Sequence, residues 1–364
     1  MISLFYPFIP PKALEAVTKI LSGKDISQGK VIEDFEKKFG EKLGHKYCVT
    51  TNSGTSALHL AYILSGIKKG DEVIIPVLTC TATSHAALYA GAKIVFADID
   101  PKTLCIDPES VAKKITKKTK AIVAVHFAGN PCDMKELSRI AGDIPIIEDS
   151  AQHVEKTNPT GNFICYSFQA IKHITTVDGG MLVCKNEQDY KRAKRLRWYG
   201  IDREQRIKLD SLVPQKQREM TFDVDEMGYK YNMTNVDAAI GLEGLKKLDW
   251  HLEHRAKLVQ RYRDGLKEIR GIELLRPVKD STNWMFMILV ADRDNFQKFM
   301  KENEIETNMV HVRNDIYKVF GGKKLDLPKM NAIEDRYAAL PLHWKMTLKD
   351  VDLVVETIKE WTEQ

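Results

Sequence analysis

No stretch of the chain approaches the ~18 uninterrupted apolar residues of a bilayer-spanning helix. The start, Met1-Ile2-Ser3-Leu4-Phe5-Tyr6-Pro7, lacks a charged region followed by a long apolar run. Neither a membrane span nor a secretory signal is therefore expected. Cysteine is sparse: six in 364 residues, with no C-x-x-C pair and no His/Cys clustering. That argues against a zinc site or a disulfide framework and for reduced thiols in a cytoplasmic protein. Net charge is small too, since 55 basic and 50 acidic residues leave +5. Nothing in that balance calls for nucleic acid, and it is compatible with an anionic small substrate. Repeats and low-complexity tracts are absent.

The composition is that of a globular protein, 43% hydrophobic and 29% charged, long enough for two domains. Short Val/Ile-rich runs recur at Tyr47–Thr50, Glu72–Ile75, Lys93–Ala97, Ala121–Val125, Pro145–Ile147, Phe163–Ser167 and Met181–Cys184. They are separated by helical stretches and mostly do not alternate with polar residues. Strands buried on both faces of a helix-covered, mostly parallel sheet have this texture, so an α/β core is expected. From about Val236 the pattern changes. Ala238–Glu268 reads as one long helix, Thr282–Val290 and Thr307–His311 as strands, and Lys349–Trp361 as a final amphipathic helix. The expectation is a large domain over 1–245 and a smaller α+β domain over 246–364.

Three segments carry chemistry. Asn52-Ser53-Gly54-Thr55-Ser56-Ala57-Leu58 follows a strand and opens a helix, a geometry that binds phosphate on backbone N–H groups; an N-cap without a ligand explains it as often. Glu148-Asp149 ends a buried strand, the edge where open α/β sheets bind ligands, and a carboxylate there is placed to hold a protonated pyridine nitrogen or merely to cap a helix. Lys172 lies between a strand and the Gly179-Gly180 turn, among apolar residues. Desolvation would make its amine nucleophilic, as a Schiff-base lysine requires, although a loop lysine is usually just solvated. All three fall at strand ends of one sheet, in the order cradle, acid, lysine.

Over nearly its whole length the chain resembles the sugar aminotransferases of the DegT/DnrJ/StrS type, fold-type I enzymes dependent on pyridoxal 5′-phosphate (PLP). The motifs that carry the resemblance are Ser53-Gly54-Thr55-Ser56-Ala57-Leu58, Glu148-Asp149-Ser150-Ala151-Gln152, and the Ser-Phe-x-x-x-Lys-x-x-Thr-x-x-x-Gly-Gly run from Ser167 to Gly180. Tyr89–Lys93, Ala97–Asp100, Gly228-Tyr229, Met233-Thr234 and Leu340–His343 add to them. The resemblance implies that Lys172 forms the Schiff base and moves protons, that Asp149 pairs with the pyridinium nitrogen, and that Gln152 bonds the ring oxygen. It also implies that Ser167 with the Gly54, Thr55 and Ser56 region holds the phosphate. Implied partners are L-glutamate and a nucleotide-linked 4-keto-6-deoxy sugar, in a cytoplasmic homodimer with shared active sites, serving amino-sugar and surface-polysaccharide biosynthesis.

The chain departs from the family pattern at several points. Cys80 stands where an aromatic residue usually covers the ring. Lys230, in Gly228-Tyr229-Lys230-Tyr231-Asn232, replaces the usual Asn of the phosphate-contacting loop. Val177-Asp178 replaces Gly-Glu ahead of Gly179-Gly180, and the Gln152–Phe163 connection is short. Ser27 and Gly29, Trp198, and His311 with Arg313 lie where the family meets its sugar; packing or a surface loop is the simpler account of each one singly. Arg197 and Arg313 are candidates for a substrate carboxylate. The alternatives are a 3-dehydratase of keto-deoxy sugars, which carries His at the lysine position (His173 is adjacent), a PLP-binding protein without turnover, and another fold-type I enzyme acting on free amino acids or small phosphorylated ketones.

Overall fold

The computed structural model describes residues 1–154, 160–203, 205–206 and 223–363. Residues 155–159, inside the short Gln152–Phe163 connection, lie outside the described residues. Seven strands form the large sheet: β1 (Tyr47–Thr51), β2 (Glu72–Pro76), β3 (Lys93–Ala97), β4 (Thr119–Val125), β5 (Ile146–Asp149), β6 (Phe163–Ser167) and β7 (Gly180–Cys184). Their order is β1-β7-β6-β5-β4-β2-β3. All pairings are parallel except the two made by β7. Strands β2, β5 and β7 are buried at every position, as the unbroken apolar runs require when helices cover both faces. Each fully buried Val, Ile or Leu contributes roughly 1.5–3 kcal/mol through the water it sheds.

The register fixes the functional edge. Thr51, Gly180 and Ser167 lie in one row across β1, β7 and β6, and Asp149 pairs with Cys165 on the adjoining strand. Thus the loop after β1, the end of β5 and both ends of the lysine loop open on the same side of the sheet.

A second, antiparallel sheet contains β8 (Ile272–Leu274), β9 (Phe286–Val290) and β10 (Tyr337–Leu340) in the order β10-β9-β8. Helices Leu248–Leu266, Arg293–Glu302 and Leu348–Thr362 enclose its core of Tyr262, Phe286, Ile288, Phe296 and Val354. Another core continues from the large sheet into this region, joining Ile74, Ile122 and Phe127 to Trp284, Met287 and Tyr337.

Three sequence expectations need correction here. The long helix is two, Asn235–Leu245 and Leu248–Leu266, with a turn at Lys247 whose N–H donates to Gly244 O. The break lets Ala238, Leu245 and Leu248 serve the core under the large sheet, while Leu258, Tyr262 and Leu266 serve the second sheet. Thr282–Val290 is strand only from Phe286 on, because Asn283 adopts φ 51° and the Thr282 and Trp284 N–H groups donate to Gly129 O and Ala128 O. Thr307–His311 is not a strand. It makes one bridge, Asn308 to Ala339, and then leaves the extended region at Val310, φ 65°.

Candidate active site

The cradle is a capped helix start. Ser53 is the N-cap of helix Gly54–Leu64, and its hydroxyl accepts from the Ser56 N–H at 3.1 Å. The Ser56 hydroxyl donates to Asn52 Oδ1 at 2.7 Å. The Ser56 amide is thus engaged by the cap, which leaves the first-turn N–H groups of Gly54 and Thr55 without intrahelical acceptors at the positive end of the helix. Glycine is required by contact. A Cβ on Gly54 would lie 2.8 Å from Ser167 Cβ, and one on Gly180 would lie 2.5 Å from Ser53 O. The two bare backbones bring Ser167 against the helix start.

Asp149 ends β5, almost fully buried. Thr83 donates to its Oδ2 at 2.8 Å and the Ala151 N–H to Oδ1 at 3.1 Å. Burial raises its carboxyl pKa; those two bonds and the Lys172 charge pull the other way. Gln152 accepts the Ala128 N–H at 2.7 Å through Oε1, and its amide nitrogen makes no hydrogen bond among the described residues. Lys172 keeps a little of its surface accessible, but its amine end is desolvated. Burial lowers its pKa to about 8, opposed by Cys80 and Asp149. Its Nζ stands 3.7 Å from the centre of the Trp284 ring.

His173, one residue on, is buried and bonded to the backbone of another segment. Its Nε2–H donates to Thr282 O at 2.9 Å, and its own carbonyl meets His251 Nδ1 at 3.0 Å. Cys80 precedes the helix Thr81–Tyr89 as its N-cap and is partly exposed. Lys230 is exposed; its Nζ bonds Asn232 Oδ1 at 2.6 Å and lies 3.5 Å from the Trp198 ring centre. Its carbonyl accepts from Asn52 Nδ2 at 3.4 Å, so its backbone borders the cradle while its amine points to Trp198.

The residues proposed for sugar contacts separate. Ser27 is exposed, and Gly29 lines a cleft of about 520 Å³ with Gln28, Arg197 and Arg203. His311 is close enough for the Lys172 charge to act on it. Burial, chiefly, takes its pKa down to about 3, and its Nε2 has no partner. Arg313 offers the site no donor. Its Nε and Nη2 bond Asp315 at 2.7 and 2.6 Å, Nη1 bonds Asn331 and Glu334 at 2.7 and 2.6 Å, and Nη2 also meets Leu325 O. That fills its five N–H groups, contrary to the substrate role expected for it. Arg197 is bound to Glu36 and Thr50 through Nη1. Thr83 and Trp284 belong to the site and were not singled out by sequence. Thr83 is 66 residues from the carboxylate it bonds, and Trp284 sits in a run that reads as strand core.

The family model for the DegT/DnrJ/EryC1/StrS aminotransferases matches residues 8–359. The chain belongs to this family. A GDP-perosamine synthase of Escherichia coli O157:H7 is 31% identical over 99% of this chain and 98% of its own. The sugar aminotransferase CalS13 from Micromonospora echinospora superposes with a TM-score of 0.91 at 30% identity, over 99% of this chain and all of that one. NtdA from Bacillus subtilis, solved with bound cofactor PMP, has a TM-score of 0.86 at 28% identity, over 98% and 83% of the two chains. Membership makes the chain an aminotransferase. Among the described residues no helix is long and apolar enough to cross a membrane, and no His/Cys/Asp/Glu cluster could hold a metal ion.

Proposed function

We propose that this aminotransferase uses PLP to move an amino group from L-glutamate to a nucleotide-linked keto-deoxy sugar of the 4-keto-6-deoxyhexose type, in amino-sugar and surface-polysaccharide biosynthesis. The observation that carries the reading is the convergence of a desolvated lysine amine, a buried carboxylate and a glycine-lined helix start on one sheet edge. The cofactor fits this donor set, and when bound it supplies an electron sink for charge that develops at the substrate carbon.

The chain's own residues do the rest. The Gly54 and Thr55 N–H groups, with the Ser167 hydroxyl, bind the phosphate at the positive helix end. Asp149 faces the protonated ring nitrogen, and a cation there restores the ionised form that burial disfavours. The free Gln152 amide nitrogen donates to the ring oxygen. Lys172, with its pKa near 8, is the nucleophile and the proton carrier, because near neutral pH it exchanges a proton in either direction. The homodimer and a contribution from the partner's 228–232 loop belong to this proposal.

The inward position of Lys172 and the engagement of His173 with Thr282 weigh against the dehydratase alternative. To test the proposal, the purified chain is incubated with PLP, L-glutamate and a panel of nucleotide-linked keto sugars. Formation of 2-oxoglutarate together with an aminated nucleotide sugar is expected. Glutamate conversion with no sugar acceptor would keep the transaminase and reject the sugar, and release of ammonia with loss of a hydroxyl would favour the dehydratase.

A further inference from the structure

Trp284 is held from several sides. It is fully buried, and its indole N–H donates to Ile171 O at 3.0 Å, the carbonyl immediately before the lysine. Its backbone N–H donates to Ala128 O at 2.9 Å, and its carbonyl accepts from Arg255 Nη1 at 3.0 Å. Phe5 stacks with it at 5.3 Å and 25°, and His311 at 6.3 Å and 19°. A ring so restrained cannot turn away, and its face carries the negative part of the aromatic quadrupole. The Lys172 Nζ rests over that ring, 3.7 Å from its centre.

We propose that Trp284 is a positioning residue of the reaction: its indole face seats the Lys172 ammonium whenever the amine is not bonded to the cofactor, through the half of the reaction in which the cofactor carries the amino group. The inference rests on the reading of Lys172 as the cofactor lysine. An amine released into a desolvated site needs a partner. The charged and titratable groups that act with it are Asp149 from β5, Cys80 ahead of the helix Thr81–Tyr89, and His311 from the loop beyond the second sheet. Asp149 is reserved for the ring nitrogen, and His311 is neutral. An aromatic face stabilises the ammonium without adding a second anion that would compete with Asp149 or raise the amine out of its working range. It also limits the swing of a flexible four-carbon stem, so that the amine stays within reach of the reacting carbon.

The test reads the amine itself, on the cofactor-free full-length chain, so failure of sugar amination does not affect it. Modification of Lys172 by trinitrobenzenesulfonate is followed against pH by peptide mass spectrometry. The wild-type rate should inflect near pH 8. Trp284→Leu should move the inflection down by about one unit, and Trp284→Phe, which keeps a weaker face, by less. An inflection that is unchanged or raised in Trp284→Leu overturns the proposal. Should Trp284→Leu not fold, ¹⁹F spectra of the chain carrying 5-fluorotryptophan give the same answer. Of its five tryptophans, the resonance missing in Trp284→Phe should titrate with the Lys172 inflection in wild type and stay flat in Lys172→Met. A resonance already flat in wild type overturns it.

Discussion

Glu148 and Asp149 are consecutive on β5, both buried, and point to opposite faces of the sheet. On one face Glu148 is paired with a titratable side chain: Oε2 meets His126 Nε2 at 3.0 Å, and Oε1 takes the Gly161 N–H at 2.6 Å. Burial would raise its carboxyl, but the His126 bond and charge and the Gly161 N–H more than offset that and hold it below the ordinary range. On the other face Asp149 also has two bonds, but both come from neutral donors, the Thr83 hydroxyl and the Ala151 amide, and its pKa is raised. A buried carboxylate held by a cationic partner is a structural part, whereas one bonded only by neutral donors costs stability and awaits a cation. The contrast recurs two residues apart in His311, with an unpartnered Nε2, and Arg313, with every donor used.

The sharpest way to break this comparison is to neutralise each acid. Asp149→Asn is expected to lower kcat/KM by roughly 10²–10³-fold, the scale for losing one preorganised charge at a reacting centre, while thermal stability without cofactor stays level or rises. A melting temperature that falls with activity would make Asp149 structural. Glu148→Ala should do the reverse. Removal of one partner of a buried pair costs about 3–5 kcal/mol, read as a lowered denaturant midpoint, with turnover per folded molecule retained. Because the folded Glu148 pKa is depressed, its stabilisation is present above the unfolded value, and in wild type it is lost as pH falls through the folded value.

Lys172 sharpens the contrast from the cationic side. Its folded pKa is about 8 against 10.5, so below pH 8 the folded chain bears the cost of a buried ammonium. Between 8 and 10.5 the unfolded chain binds more protons, and wild-type stability rises with pH. Lys172→Met should therefore stabilise the cofactor-free protein by about 3 kcal/mol at pH 7, and chemical denaturation should show the gain shrinking toward pH 10. A loss of stability at pH 7 would contradict the account. The smallest effect is at Val177, a β-branched residue at φ 73° in the lysine loop, where side chains crowd the backbone. Val177→Gly should stabilise by about 1 kcal/mol after allowing for glycine's greater unfolded entropy; a lower melting temperature would show that its side chain is needed there.

The sheet was legible because its strands are unbroken apolar runs; the acid was legible because it ends one of those runs, and the lysine because it lies in the loop between two of them. The second sheet was read poorly. β8 has three residues, and the segments around Asn283 and Val310 take left-handed turns inside runs whose apolar pattern reads as strand. Thr83 and Trp284 were missed because contacts over 66 and 112 residues leave no local pattern, and the saturation of Arg313 depends on Asn331 and Glu334, supplied by tertiary folding.

The most direct test is to add PLP to the purified chain, reduce with borohydride, and map the pyridoxyl group by peptide mass spectrometry in wild type and Asp149→Asn. The account predicts label on Lys172 alone in wild type, with weaker cofactor retention in Asp149→Asn. Label on another lysine, or none at all in a folded wild-type chain, would contradict it.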